Sequence, residues 1–318
     1  MCDLRPISPQ LMGVARRELN EDTVQVNSHL AVIKSWLVEC DLHCTVVSDQ
    51  FLVAFLRGCK FSLEKVKKKL VLFYRTRAEL PQVIQNRDPT DEHILSVIRL
   101  GVAVPLPKTE KPTDPKLFLI RVGKFNVTQC TFADIMKVGT MINDILMRDD
   151  DQMVICGMAI IIDMKGVTGS HLLQFEVELL KKIATLNQDA SPLRMQGFHI
   201  LNPPPGLQTA LSIFNGLLSE KNQQKRIFTH GSDLESLHKH FPAALLPEEY
   251  GGSLSSIECI IKEWELKLIQ NRDYLLEMAA LTFSKNLSPT LAHNPDTNGT
   301  KKDAHFGFEG SFRKLDID

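Results

Sequence analysis

The stretch Val154-Ile155-Cys156-Gly157-Met158-Ala159-Ile160-Ile161-Ile162, closed by Asp163-Met164-Lys165-Gly166, decides the fold class. It is almost wholly apolar, yet the run from Met153 to Met164 is too short to cross a bilayer. Such a run reads as a strand covered on both faces, over Val154 to Ile162, as strands of a parallel sheet are when they lie between layers.

The flanking segments supply those layers. Downstream, Leu172, Phe175, Leu179, Ile183 and Leu186 recur at helical spacing and predict one helix. Phe198 to Leu201 reads as a strand. After Pro203-Pro204-Pro205-Gly206 comes a helix carrying Leu207, Ala210, Leu211, Phe214, Leu217 and Leu218, then a short strand from Ile227 to His230. Upstream, Phe132, Ile135, Met136, Gly139, Ile142 and Ile145 share a helical face, and Leu117 to Val122 reads as a strand. Strand and helix in alternation predict an α/β domain with a mainly parallel sheet. Ser232-Asp233-Leu234-Glu235 and Ser255-Ser256-Ile257-Glu258 read as capping boxes opening the last two helices.

The first hundred residues look helical throughout. Ser8-Pro9 caps a first helix, a second runs from Asp22 with Val26, Leu30, Ile33 and Leu37, and Leu52, Phe55 and Leu56 mark a third. Ser62 opens a fourth with Val66, Leu70 and Phe73 on one face, and Asp91 to Leu100 is a last one stopped by Gly101. Val104-Pro105-Leu106-Pro107 and the polar residues after it read as a connection. The expected organisation is a helical domain at 1–104, an α/β domain at 105–279 and a mobile tail at 280–318. The Phe306-Gly307-Phe308 and Phe312 cluster in that tail reads as a frayed end, with docking onto the body or a partner as the alternative.

Composition narrows the function. Of 318 residues, 43% are apolar, enough for one large core plus a smaller domain. Lys and Arg number 37 against 38 Asp and Glu, so the molecule has no overall field for holding nucleic acid, and any anion site has to be local. Met1 to Asn20 lacks a basic segment followed by an apolar one, and seven scattered cysteines fit a reducing compartment, so a cytoplasmic protein is expected.

Catalytic motifs are missing. The chain has no P-loop, no Gly-rich dinucleotide turn, no GxSxG elbow and no HExxH, so no enzyme and no cofactor are expected. Cys40, His43 and Cys44 offer soft ligands without a fourth nearby, and His230, His238 and His240 read as cap or surface histidines, so no metal is expected either. The Lys65 to Lys69 run reads as a solvated helix face, with a binding patch as the alternative. Met136, Met141, Met147, Met153 and Met158 read as core packing, with adaptable ligand contact as the alternative.

Ordered motifs point to a family. Phe55-Leu56-Arg57-Gly58-Cys59-Lys60-Phe61 and the helix to Tyr74-Arg75-Thr76-Arg77 come first. Ile162-Asp163-Met164-Lys165-Gly166, Gly197-Phe198-His199-Ile200-Leu201-Asn202, and His240-Phe241-Pro242 through Leu246-Pro247-Glu248-Glu249-Tyr250-Gly251-Gly252 follow. In this order, from Phe55 to about Glu277, the chain resembles the CRAL-TRIO family, in particular its alpha-tocopherol transfer branch. The resemblance implies a helical module, then a sheet flooring a hydrophobic pocket under a mobile gate helix, here Leu207 to Leu218. It also implies that the pocket carries a lipophile, such as tocopherol, a retinoid or a phospholipid, without changing it.

By position, the pocket lining implied by the resemblance is Met136, Gly139, Asn143, Met158, Ile162, Leu173, Phe175, Ile183, Leu186, Leu193, Phe198, Leu207 and Leu211, with Phe214 on the same gate. Val167 and Gly169 stand where that branch has large aromatics, a replacement expected to enlarge and reshape the cavity, and Asn143 stands where it has a small hydroxyl. Arg194, Lys221 and Arg226 match a basic patch that recognises phosphoinositide head groups, with Lys225 as an added neighbour and Cys59 and Gln196 where the branch has arginines. The expected protein moves one lipophile between membranes, with phosphoinositide-assisted release and transient membrane association. The alternatives are a phospholipid or phosphatidylinositol exchanger, and a phosphoinositide-sensing adaptor without cargo.

Overall fold

The computed structural model describes residues 4–40, 47–204 and 227–280, all within one compact unit. The expected gate, Leu207 to Leu218, lies outside the described residues, as do Lys221, Arg226 and the tail.

The helical start follows its local signals. Helix α1 (Pro9–Leu19) begins where the Ser8 hydroxyl accepts from the Leu11 amide at 3.3 Å. Helix α2 (Val26–Glu39) starts later than expected, because the Asp22 carboxylate and carbonyl hold Val24 and Gln25 in a turn first. Helices α3 (Asp49–Gly58), α4 (Leu63–Ala78), α5 (Pro81–Ile84) and α6 (Glu92–Leu100) follow. Phe51, Phe55, Phe73 and Tyr74 meet as tilted and edge-on rings and form the aromatic centre of this layer. The lysine run on α4 is only partly a solvated face: Lys67 lies over the Trp36 ring, and Lys69 donates to the carbonyls of Asp189 and Ser191.

The sheet runs in sequence order, β1 (Ala103–Pro105), β2 (Lys116–Arg121), β3 (Met158–Asp163), β4 (Met195–Leu201) and β5 (Ile227–Gly231). β1 pairs antiparallel with β2, and every other pair is parallel. The sequence pattern did not foresee β1. Its three residues end on Pro105 and pair only at the sheet edge, a place where proline is tolerated.

The apolar run is not one strand. Helix α7 (Phe132–Asp149) is followed by α8 (Asp151–Cys156), which takes Val154 to Cys156, and Gly157 with φ of 84° turns the chain into β3. The expected helix from Leu172 to Leu186 also divides, into α9 (Gly169–Leu173), α10 (Val177–Ala184) and a π-helical turn (Thr185–Ala190). Helices α11 (Leu234–His238), α12 (Ile257–Gln270) and α13 (Arg272–Ala280) close the fold. The two expected capping segments open α11 and α12, not the last two helices, since α13 follows, and the caps shift by one residue: Asp233 and Ser256 accept the backbone bonds, not Ser232 and Ser255.

Strand alternation divides the sheet into two faces. On one, Leu117, Leu119, Ala159, Ile161 and Leu201 pack with Ile257 and Ile260 of α12 and with Leu237, Leu246 and Tyr250. The other carries Phe118, Ile120, Met158, Ile160, Ile162, Phe198 and Ile200.

Buried ions join the helical layer to the α/β layer. Arg77 donates to both Asp144 oxygens at 3.0 and 3.2 Å and to the Met278 carbonyl, and Arg87 reaches the same carboxylate at 2.6 Å. Burial pushes the Asp144 carboxyl up, but the two guanidiniums outweigh it and hold the group below the ordinary carboxylate range. Arg57 likewise pairs with Glu21 and, at 2.7 Å, with Asp151 at the start of α8. Gly58, at the end of α3, lies so close to the strand lead-in that a Cβ would come 2.4 Å from the Pro192 carbonyl oxygen.

Candidate ligand-binding site

The expected pocket residues fall into two groups. Met158, Ile162 and Phe198 share one sheet face, because Ile160 pairs with Phe198 and Ile162 with Ile200. Met158 and Phe198 are buried, as is Leu193 just before β4, while Ile162 is half-buried.

The second group belongs to α7, α10 and the π turn. Met136, Gly139 and Asn143 follow one another at helical spacing along one side of α7. Met136 packs with Ile183 and Leu186 in a cluster completed by Leu80, Val83 and Ile84. Beside Gly139, apart from its own helix backbone and chain neighbours, no atom of the described residues comes within 4 Å of where a Cβ would stand. One turn on, the Asn143 amide donates to Asn187 Oδ1 at 3.3 Å, and Asn187 in turn donates to the Ile183 carbonyl at 3.0 Å. The Asn143 carbonyl oxygen is buried and meets no donor among the described residues. A buried, unpaired acceptor costs about 1–3 kcal/mol, so it calls for a reason. The π turn that carries Leu186 and Asn187 is a distortion common at functional sites, and no periodicity announced it.

The remaining residues sit further out. Phe175 is half-buried, with its ring edge-on to Phe132 at 4.9 Å. Leu173 is 87% exposed, and Leu172 and Val177 are exposed as well. Leu207, Leu211 and Phe214 lie outside the described residues. Arg194 is engaged internally: it donates to the Ile155 carbonyl and pairs with Glu18 at 3.4 Å.

The carboxyl ends of the strands, where open α/β sheets bind their ligands, are tied by residues that the sequence pattern alone did not single out. Asp163 at the end of β3 accepts from the Tyr250 hydroxyl at 2.6 Å and from the Asn202 amide at 2.8 Å. Burial and the Asp163 hydrogen bond push the Tyr250 phenol up, which keeps it protonated as the donor. This contact brings the Ile162-Asp163-Met164-Lys165-Gly166 motif against the closing motif around Tyr250. The histidines divide too. His238 bonds the Tyr250 carbonyl, whereas His230 is buried and bonds His199 at 3.0 Å. Burial, and then the neighbouring imidazoles, lower His199 to about 4.

Among the described residues no helix is long and apolar enough to cross a membrane, and the five described cysteines form no disulfide.

Comparison with known proteins fits this geometry. Residues 102–252 match the CRAL/TRIO domain family, and residues 22–94 match the Pinta-like UBA domain family. Human alpha-tocopherol transfer protein-like is 29% identical over 229 residues, 72% of this chain and 65% of that protein, so the match leaves about a third of the relative uncovered. Human clavesin-2 is 25% identical over 249 residues, covering 78% of this chain and 75% of its own. A solved structure titled Sfh5 aligns over 85% of this chain and 99% of its own, with a TM-score of 0.47 and 13% identity. The helical lead, the mainly parallel sheet and the family match agree: residues 102–252 of this chain are a CRAL/TRIO domain.

Proposed function

We propose that the chain binds one lipophilic molecule and transfers it between membranes without changing it. In this reading the Met158, Ile162 and Phe198 face of the sheet and the Met136, Gly139 and Asn143 side of α7 are walls of one cavity. The gate of this reading is assigned to residues 207–218 by the family resemblance alone, since they lie outside the described residues. The observation that carries it is the unpaired Asn143 oxygen, on the helix one turn from Gly139, where a Cβ would meet no described atom within 4 Å beyond its own helix backbone and chain neighbours. A ligand hydroxyl or amide would satisfy that oxygen, and burial of the ligand's apolar body would supply affinity at about 25 cal/mol per Å² before entropy is deducted. The names of the relatives favour tocopherol-like cargo, and a retinoid fits the same chemistry. Native mass spectrometry of the purified chain, followed by organic extraction, tests this. One lipophile per chain is the expected result; a chain that stays empty after incubation with lipid vesicles refutes it.

Release is proposed to occur at membranes bearing phosphoinositides, with Arg194, Lys221 and Arg226 gripping the head group and the exposed Leu172, Leu173 and Val177 meeting the lipid surface. Glu18 would then compete with the head group for Arg194. Glu18→Gln is expected to strengthen binding to phosphoinositide vesicles, and unchanged binding removes Arg194 from the patch.

A further inference from the structure

Three imidazoles converge at the β4–β5 side of the sheet. His199 lies on β4, His230 on β5, and His240 two residues beyond the end of α11. From each ring one nitrogen can be chosen so that all three lie within 4.8 Å of one another. His199 Nδ1 and His230 Nε2 are already 3.0 Å apart, and His230 Nδ1 bonds the Ser236 hydroxyl at 2.9 Å. The rings of Phe228 and Phe241 flank His199 at 4.7 and 4.5 Å. His199 pairs with Ile161 in the sheet, which puts it on the face opposite Phe198 and therefore away from the proposed ligand cavity.

We propose that His199, His230 and His240 form a binding site for a borderline divalent cation of the zinc class, with three imidazole ligands and a fourth position left to water. A tetrahedral ion with metal–nitrogen bonds of about 2.0–2.1 Å needs its ligand nitrogens roughly 3.3 Å apart. The His199–His230 pair stands close to that spacing, so a small separation opens room for the ion. His240 is exposed, with its ring against Phe228 at 4.5 Å, and a change of its rotamer would close the remaining gap. The Ser236 hydroxyl does for His230 what an outer hydrogen bond does for metal-ligating histidines generally: it fixes the ring and leaves the other nitrogen to the metal. The flanking phenyl rings limit water on one side, which strengthens the electrostatic part of the bond. Softer cations that prefer thiolate ligands are disfavoured by the all-nitrogen set, and magnesium or calcium by the lack of oxygen ligands. A bound ion would clip β4 to β5, the two strands that flank residues 205–226 in the chain.

The full chain, stripped with chelator, is to be titrated with Zn²⁺ by calorimetry and with Co²⁺ by visible absorption, alongside His240→Ala and the exposed control His93→Ala. The expected result is one ion per chain, with affinity lowered on the order of 100-fold in His240→Ala and unchanged in His93→Ala. The Co²⁺ spectrum is expected to show tetrahedral d–d bands without thiolate charge transfer. Because His240 is exposed, its replacement is not expected to unfold the chain, and circular dichroism checks that. The proposal is overturned if the wild-type chain takes up no ion at micromolar concentration. It is equally overturned if His240→Ala binds as tightly as wild type, or if a thiolate band assigns the ion to the cysteines.

Discussion

Asp144 and Asn143 are consecutive on α7 and sit in opposite circumstances. The Asp144 carboxylate faces the helical layer, where Arg77 and Arg87 saturate it and the Met278 carbonyl takes up part of Arg77. Asn143 faces the π turn, gives its amide to Asn187, and leaves its carbonyl oxygen unmet among the described residues. The sheet repeats the contrast. One face is closed by α12 in a continuous apolar cluster, and the other carries the expected ligand residues. Around Asp144 the carboxylate finds its partners within the protein, although Arg77 Nε and Arg87 Nε and Nη1 meet no acceptor among the described residues; at Asn143 it is the acceptor that is left over. For an acceptor left over one turn from Gly139, a guest supplies the simplest account.

The contrast breaks most sharply at Asp144. Asp144→Ala strands two buried guanidiniums, and a loss of about 3–5 kcal/mol is expected in urea unfolding. Acid acts on the same group: its folded pKa lies below the unfolded value of about 3.9, so its stabilisation is present above that value and is lost as pH falls through the folded one. A variant that unfolds like wild type would mean that the two sides of α7 do not differ in this way.

Ile161 and Ile162 put the same question to the sheet. Ile161 is fully buried against α12, and Ile161→Ala is expected to cost about 2–5 kcal/mol. Ile162, half-buried on the other face, should cost less than half as much in stability while weakening retention of the extracted lipophile. Equal stability losses would show that both faces are ordinary core. Asn143→Leu sharpens the point. It removes a long hydrogen bond and an unmet acceptor together, so stability should stay within about 1 kcal/mol of wild type. Ligand retention, read by native mass spectrometry, is expected to fall severalfold, and full retention would remove Asn143 from the site.

The sequence carried the layers well and the contacts poorly. The helix cap at Ser8, the helix start at Asp91 and the apolar strands are local signals, and they led to the right elements. The run from Val154 to Ile162 misled because a buried helix end and a buried strand have the same composition, and only Gly157 divides them. The π turn left no mark, since one inserted residue merely dephases a helical stripe. Asn143 stood out through family resemblance alone; its unmet oxygen depends on where Asn187 lands. His199 was invisible as a lone histidine in an apolar strand, and its meeting with His230 is set by the register of β4 against β5.

The smallest expected effect tests the space beside Gly139 directly. Gly139 lies inside α7, where alanine is favoured over glycine by about 0.5–1 kcal/mol, and an added methyl group would meet no described atom within 4 Å beyond its own helix backbone and chain neighbours. Gly139→Ala should therefore raise the urea midpoint slightly in the ligand-free chain. If the space belongs to a guest, the same methyl group takes volume from it, and the lipophile should be held less tightly although the protein is firmer. Stability and retention moving in opposite directions is a result that plain core packing does not produce, because filling an idle void in a core helps everything that depends on the core. A rise in both would return Gly139 to the class of unremarkable helix glycines and leave the Asn143 oxygen without its neighbour.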